Sequence, residues 1–168
     1  IAMLTQNWDQ MLLNVMDEKT VIVGSEYDGQ KYLNFPNTTF CLFDVDVLKA
    51  QNISFGLPEQ KRITIDESNS KIFGRKPGDN IMLDTGWELA YKLKSANYQG
   101  VTMKLISPRI EETKYKMKFM QSDMRGESYQ LDDIPICTHI GRSYTRSFDD
   151  PIVALWKKRV EEWLDGEK

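Results

Sequence analysis

Six lysines recur at alternate positions in three segments between residues 87 and 119. They are Lys92, Lys94, Lys104, Lys114, Lys116 and Lys118. Alternate residues of a strand point to one face of a sheet, and like charges on neighbouring strands repel each other. Residues 87–119 contain seven Lys or Arg and three Glu, a local charge of +4 in a chain whose net charge is −3. An anionic partner would relieve this repulsion, so the pattern predicts binding of RNA, DNA or a phosphoprotein.

The same lysines fit a second interpretation, in which they form a solvated face that protects an edge strand from aggregation. The aromatic residues of these segments alternate with the lysines and therefore point to the opposite face. A basic face without aromatic rings does not provide the stacking platform that single-stranded nucleic acids use. The expected contact is therefore with the charge of the partner rather than with its bases.

Three arginines offer a second set of phosphate ligands. Arg142 and Arg146 flank three hydroxyl side chains in one loop, and Arg75 follows the short strand expected at residues 71–73. A guanidinium group binds phosphate or carboxylate through a planar fork of donors. The loop arginines have an alternative role, which is pairing with the acidic residues that precede and follow the loop.

Two carboxylates, Asp44 and Asp46, follow the apolar residues 40–43. The segment resembles the first motif of the haloacid-dehalogenase-type phosphatases, and Asp79 with Asp84 resembles the last, metal-binding motif of that family. The resemblance implies that Asp44 is the nucleophile and Asp46 the acid/base of a magnesium-dependent phosphatase or phosphotransferase. The alternative interpretation is a strand end whose two aspartates face water.

A third pattern is the stretch of residues 71–75, which ends in Gly-Arg, followed by the short apolar stretch 80–84. This resembles the opening of a forkhead-associated domain, an all-β sandwich that binds phosphothreonine. The resemblance implies a phosphopeptide-binding sandwich in which Arg75 helps to shape the phosphate-binding loop.

The cysteines and the histidine provide little catalytic or metal-binding capacity. Cys137 and His139 lie two residues apart, which would allow a thiolate pair, and Cys41 is the only other cysteine. A structural zinc site needs four close ligands, usually Cys or His. We therefore expect two buried, reduced thiols, no metal, no cofactor and no catalytic residue, although a disulfide between the two cysteines stays open.

Composition favours a folded domain and excludes several classes of protein. Apolar residues make up 40% of the 168 residues, and Gly and Pro number 10 and 6, which excludes collagen-like and low-complexity sequence. The 22 basic and 25 acidic residues do not indicate a strongly basic nucleic-acid binder. Residues 1–3 lack a signal-peptide pattern, and no apolar run approaches the ~20 residues of a membrane span. We expect an intracellular protein that does not enter a membrane, of viral or phage origin.

Hydrophobic periodicity predicts helices at both ends and strands between them. The first helix is expected from Thr5 to about Lys19, and the last from Pro151 to about Gly166. Short strands are expected at residues 20–23, 31–33, 40–48, 62–65 and 71–73. Three further segments alternate between apolar and polar residues and predict an antiparallel meander: residues 87–94, 101–105 and 114–119. Residues 120–148 are expected to be mainly loop, with short strands near residues 134–140.

These patterns predict a single domain over residues 1–168 of the α+β class, mainly β. The expected architecture is an antiparallel β-sandwich or barrel-like meander flanked by an N-terminal and a C-terminal helix. The expected function is a non-enzymatic binding or assembly module with a basic sheet face for an anionic partner such as nucleic acid. Self-association is a further expectation, because an apolar stripe that includes Trp156 on the last helix must be covered by the sheet or by a second copy.

Overall fold

A computed structural model of the chain describes residues 1–26, 35–56, 59, 62–83, 86–106, 126–140 and 151–166. These residues form a mixed, strand-rich α/β structure with eight strands and five helices. The chain divides into two compact units, one formed by residues 9–103 and the other by residues 1–8 together with 104–168. The expected single domain over residues 1–168 stays a prediction.

The elements have the following bounds, in chain order. The strands are β1 (Ala2–Met3), β2 (Thr20–Ser25), β3 (Asn37–Phe43), β4 (Arg62–Thr64), β5 (Asn80–Met82), β6 (Gln99–Ile106), β7 (Gly126–Leu131) and β8 (Ile134–Ile140). The helices are α1 (Trp8–Leu13), α2 (Val45–Ala50), α3 (Ser70–Phe73), α4 (Trp87–Ser95) and α5 (Pro151–Gly166).

Strand β2 is the central strand of residues 9–103. It pairs antiparallel with β3 and parallel with β6, and every residue of β2 is buried. A parallel pair needs a long crossover connection, and here the connection contains α2, α3, α4 and the separate two-stranded sheet of β4 and β5. The expectation of a purely antiparallel meander, in which strands do not alternate with helices, is therefore wrong.

Residues 87–94 were expected to form a strand of this meander, and they form helix α4 instead. Their apolar residues contact two different clusters. Leu89, Ala90 and Leu93 are buried against β2, whereas Trp87 and Tyr91 pack against the residues beneath β4 and β5. Apolar residues on two faces of one helix mimic the alternation of a strand. Leu, Ala, Glu and Lys are strong helix formers, and this preference prevails.

Two shorter segments also differ from expectation. Residues 71–73 belong to helix α3 rather than to a strand, and the helix ends at Gly74, which has a positive φ of 57°. The strand expected over residues 40–48 ends at Phe43. It ends there because the Asp44 side chain accepts the backbone N–H groups of Asp46 and Val47 and so caps the start of α2.

The second unit contains the antiparallel strands β1, β8 and β7, and the last residues of β6 pair with β7. Strands β7 and β8 form a hairpin in a region expected to be mainly loop, although the strand near residues 134–140 is confirmed. Asp132 and Asp133 connect them, with φ angles of 48° and 65°. Two positive φ angles are typical of the type I′ turn, which usually contains Asn or Gly. Because both turn residues are Asp, the sequence did not predict this turn.

Helices occur near both ends of the chain, but the first is much shorter than predicted. It covers only Trp8–Leu13, because the Asp17 side chain accepts the N–H groups of Lys19 and Thr20 and turns the chain into β2. The last helix covers Pro151–Gly166. Whether these helices flank one sheet stays a prediction. None of the helices in the described ranges is long and apolar enough to cross a membrane.

Gly86, at the start of α4, gives the first testable prediction. It has a φ of 77°, and a Cβ atom built there would lie 2.2 Å from Cγ2 of Thr38. Gly86→Ala should lower the free energy of unfolding by about 2–4 kcal/mol, through backbone strain and overpacking. Gly78→Ala is the matched control, because Gly78 has a φ of 93° with no atom within 4 Å. It should cost only about 1–2 kcal/mol in urea unfolding. Equal losses would contradict the steric argument.

Helix α5 gives the second prediction. Trp156 packs against Ile140 and Val153, and its indole N–H donates to the Thr138 hydroxyl at 3.2 Å. Trp156→Ala should therefore lower the free energy of unfolding by about 3 kcal/mol, the lower end of the range for a buried aromatic residue. Leu164, which is 41% exposed on the same helix, is the control. Leu164→Ala should change the thermal midpoint little, and an equal effect of both substitutions would contradict this packing.

Candidate functional site

Lys92 and Lys94 lie on helix α4 and do not belong to a common strand face. The Lys92 ammonium group donates to Oε2 of Glu88 at 2.7 Å and to the backbone carbonyl of Asn52 at 2.5 Å. The backbone N–H of Ser54 donates to the same Glu88 oxygen at 2.8 Å. The hydrogen bond from Lys92 holds the pKa of Glu88 below its usual value, and the Ser54 N–H adds to this effect while partial burial opposes it. Lys92 therefore attaches the chain after α2 to α4.

Lys94 is also engaged within the protein. Its ammonium group lies 3.3 Å from the backbone carbonyl of Ile72 in the last turn of α3, and 5.6 Å from the ring centroid of Phe35. A cation at the carboxyl end of a helix is favourable. Partial burial lowers the pKa of Lys94 from its usual value. A partner would have to compete with these contacts for either lysine of α4.

The remaining members of the predicted basic face are only partly described. Lys104 lies on β6, is exposed, and stands opposite Gln130 of β7. Lys114, Lys116 and Lys118, like the loop residues Arg142 and Arg146, lie outside the described residues. Lys104 is thus the one lysine of the proposed face for which the described residues show the expected exposed strand position. Anion binding by this set stays a prediction.

Two of the four carboxylates of the phosphatase resemblance, Asp44 and Asp79, bind backbone N–H groups in this fold, and Asp84 lies outside the described residues. Oδ1 of Asp44 accepts the N–H groups of Asp46 and Val47 at 2.9 and 3.0 Å. The Asp46 side chain is 97% exposed and lies 4.0 Å from the Lys49 ammonium group. Asp79 accepts the backbone N–H of Lys76 at 3.1 Å. In the described part of the chain, no three or more His, Cys, Asp or Glu side chains are grouped so as to hold a metal ion.

Both cysteines are free thiols in environments that oppose ionisation. Burial raises the pKa of Cys41 to about 11 and that of Cys137 to about 12. The thiolate is the reactive form of cysteine, so these thiols are poor nucleophiles at neutral pH. His139 follows Cys137 on β8 and is half-buried.

Arg75 follows the end of α3 in a turn that sequence reasoning did not anticipate. Its backbone N–H donates to the Ser70 carbonyl at 3.0 Å, which closes the helix after Gly74. Its Nε atom is shielded from solvent and has no hydrogen-bond acceptor among the described residues. The Gly-Arg pair therefore follows a helix and not a strand, so the structural basis of the forkhead-associated resemblance is wrong at this point.

Lys71 and Lys76 lie beside Arg75 in the chain, and we call these three residues the basic turn. Both lysines are exposed, and none of the three cations forms an ion pair within the described residues. Lys71 and Lys76 were not among the predicted ligands, because residues 71–73 were expected to form a strand. Helix signals were present, since capping residues occur at positions 66–69 and Gly74 follows the helix.

Strands β4 and β5 form a separate two-stranded antiparallel sheet, which we call the β4–β5 ribbon. Its inward residues Ile63 and Ile81 join a cluster that includes Phe73 of α3. Its outward residues are all exposed: Arg62, Thr64, Asn80 and Met82. The ladder continues where the N–H of Ile65 donates to the Asp79 carbonyl at 2.7 Å. The basic turn therefore lies at the closed end of the ribbon, within the connection between its strands.

Comparison of the chain with protein-family models, with curated proteins and with solved structures finds no match.

The thiols give the prediction for this site. At pH 8, a thiol with a pKa near 11 should be alkylated by iodoacetamide about a hundredfold more slowly than an ordinary thiol with a pKa near 8.5, because its thiolate fraction is smaller. Cys137 should react more slowly still. Alkylation can be followed by mass spectrometry, with Cys41→Ser to distinguish the two sites and unfolding in urea as the control that restores reactivity. Rapid alkylation of the native protein would restore the thiol as a candidate nucleophile.

Proposed function

We propose that the chain is a non-catalytic binding module for nucleic acid, and that the basic turn makes the main contact with phosphate groups. The carrying observation is that three neighbouring cations in this turn form no ion pair among the described residues, whereas several lysines elsewhere do. Lys49, Lys92 and Lys158 each lie within 4.0 Å of a carboxylate. The basic turn presents exposed lysines and a guanidinium group without such a partner.

The acidic residues of the same segment support this assignment. Asp66 accepts the backbone N–H groups of Ser68 and Asn69 before α3, and Asp79 accepts that of Lys76. These carboxylates hold the turns in shape, and neither forms an ion pair with a lysine of the basic turn among the described residues. Arginine and lysine side chains held on an ordered turn are typical ligands of phosphate oxygens.

Binding is favoured over catalysis by the positions of the alternative catalytic groups. The Asp44 oxygen that would attack a phosphate ester instead accepts two backbone N–H groups. The two thiols are held in their neutral form by burial. A binding module requires none of these groups to react, and this agrees with the structural contacts that Asp44 and the two thiols make.

The test is the salt dependence of binding to a fluorescent 20-base-pair DNA duplex, measured by anisotropy. If the three cations of the basic turn neutralise three phosphates, affinity should fall about fortyfold between 50 and 200 mM salt. Lys71→Gln combined with Lys76→Gln should reduce the slope of log K against log salt by about two. Lys49→Gln is the control, since Lys49 is exposed but lies near Asp46. It should leave the slope unchanged.

Lys104→Gln separates this proposal from the predicted basic face on β6. It should leave affinity within about twofold if the basic turn is the main contact. A large loss with Lys104→Gln and none with the double variant would assign binding to β6 instead. No retention of the wild-type chain on duplex or single-stranded nucleic acid at 50 mM salt would overturn the proposed function.

A further inference from the structure

The outward face of the β4–β5 ribbon has no partner among the described residues, and its composition is distinctive. Arg62 and Met82 stand opposite each other, as do Thr64 and Asn80. All four side chains are exposed, with Met82 at 51%. The face contains one guanidinium, one hydroxyl, one amide and one thioether group, and no carboxylate.

These four side-chain types match the groups on the edges of DNA bases. Arginine binds the two acceptors of guanine, asparagine binds the donor and acceptor of adenine, and hydroxyl groups bind either. An apolar side chain such as that of Met82 can contact the methyl group of thymine. We propose that the β4–β5 ribbon enters the major groove of double-stranded DNA and reads base pairs there, an inference that rests on the proposed nucleic-acid function.

The size and position of the ribbon support this placement. A two-stranded ribbon fits the major groove of DNA, which is about 12 Å wide. Residues 62–65 extend over roughly 10 Å, since a strand rises about 3.4 Å per residue, so the ribbon spans about three base pairs. The basic turn lies in the connection between β4 and β5 at the closed end of the ribbon, and in the proposed placement it would contact the phosphates that border the groove. One continuous segment, residues 62–82, thus contains both the cations proposed to bind phosphates and the side chains proposed to contact bases.

Two of the four readout groups, Thr64 and Asn80, are joined by a hydrogen bond. The Thr64 hydroxyl donates to Oδ1 of Asn80 at 2.9 Å. This bond leaves both N–H groups of the amide and one lone pair of Oδ1 for adenine. Ile81, on the inward face of the ribbon, is buried. It packs in the cluster that contains Phe73, whose ring lies 5.7 Å from that of Tyr91. A rigid support of this kind is what specific recognition requires.

Other nucleic acids fit the face less well. The major groove of an RNA duplex is deep and too narrow for side chains to read. Single strands are usually bound by stacking their bases on aromatic rings, and the outward face of the ribbon has none. The chemistry therefore favours duplex DNA over either form of RNA.

The test is selection from a library of DNA duplexes with a randomised central region, followed by affinity measurements on the enriched sequence. The wild-type chain should enrich a motif of about three base pairs that contains guanine and adenine. Arg62→Lys keeps the charge but removes the planar fork, so it should lose the preference for guanine by about tenfold or more while keeping its affinity for random duplex. Asn80→Ala should lose the preference for adenine to a similar extent.

A phosphate-contact variant is the matched control. Lys76→Gln should weaken binding to all duplexes equally, reduce the salt slope by about one, and leave the enriched motif unchanged. Thermal melts check that the variants are folded, and Arg62→Lys is the variant least able to disturb the fold because it retains an exposed cation with an aliphatic stem.

The outcomes separate this inference from the proposed function. Salt-dependent binding of duplex DNA without any enriched motif would overturn the readout by the ribbon and leave the binding module in place. A motif that is unchanged in both Arg62→Lys and Asn80→Ala would also overturn it. Tighter binding of single-stranded RNA than of duplex DNA would overturn the duplex inference. Absence of all nucleic-acid binding would overturn both proposals.

Discussion

The fold of residues 9–103 depends on helix α4, because two hydrophobic clusters form against different faces of this one helix. Leu89 and Leu93 pack with the buried strand β2 and with Leu48 of α2. Trp87 and Tyr91 pack with the residues beneath the β4–β5 ribbon. A two-stranded sheet is marginally stable on its own. The ribbon is therefore held by a cluster that includes Phe73 of α3 and Trp87 and Tyr91 of α4, and α4 also packs on the central sheet.

The polar residues of α4 have the same connecting role as its apolar residues. Glu88 and Lys92 join in an ion pair and bind backbone groups of Asn52 and Ser54 in the chain that follows α2. Lys94 binds the last turn of α3. These half-buried groups combine charge with hydrogen bonds to the backbone. Their interactions therefore stabilise the fold more than exposed ion pairs do. The charges of α4 therefore serve the fold, and a role for Lys92 and Lys94 in anion binding stays a prediction.

The sequence predicted the strands β2, β4 and β8 and the long last helix, because their signals are local, whereas the end of β3 at Phe43 was not predicted. It did not predict α4, whose apolar residues serve two clusters that are distant in sequence and so imitate the alternation of a strand. It also could not show the parallel pairing of β2 with β6. That pairing depends on close packing, since Pro36 contacts the space where Cβ atoms of Gly24 and Gly100 would lie. In the candidate site, Arg75 could be identified because a guanidinium group suits a phosphate. Lys71 and Lys76 were missed because their stretch was expected to be a strand.

In the proposed function, the inward face of the β4–β5 ribbon provides stability and the outward face provides recognition. The inward isoleucines fix the position of the backbone, and the outward side chains then need no packing role. The residue types at these outward positions can therefore be selected for contact with a partner rather than for packing in the core. Because one helix supports the inward face, loosening α4 would loosen the ribbon and the basic turn together. The ribbon is thus no more rigid than the cluster of Phe73, Trp87 and Tyr91 beneath it, and the proposed recognition would depend on the packing of those rings as much as on the exposed groups.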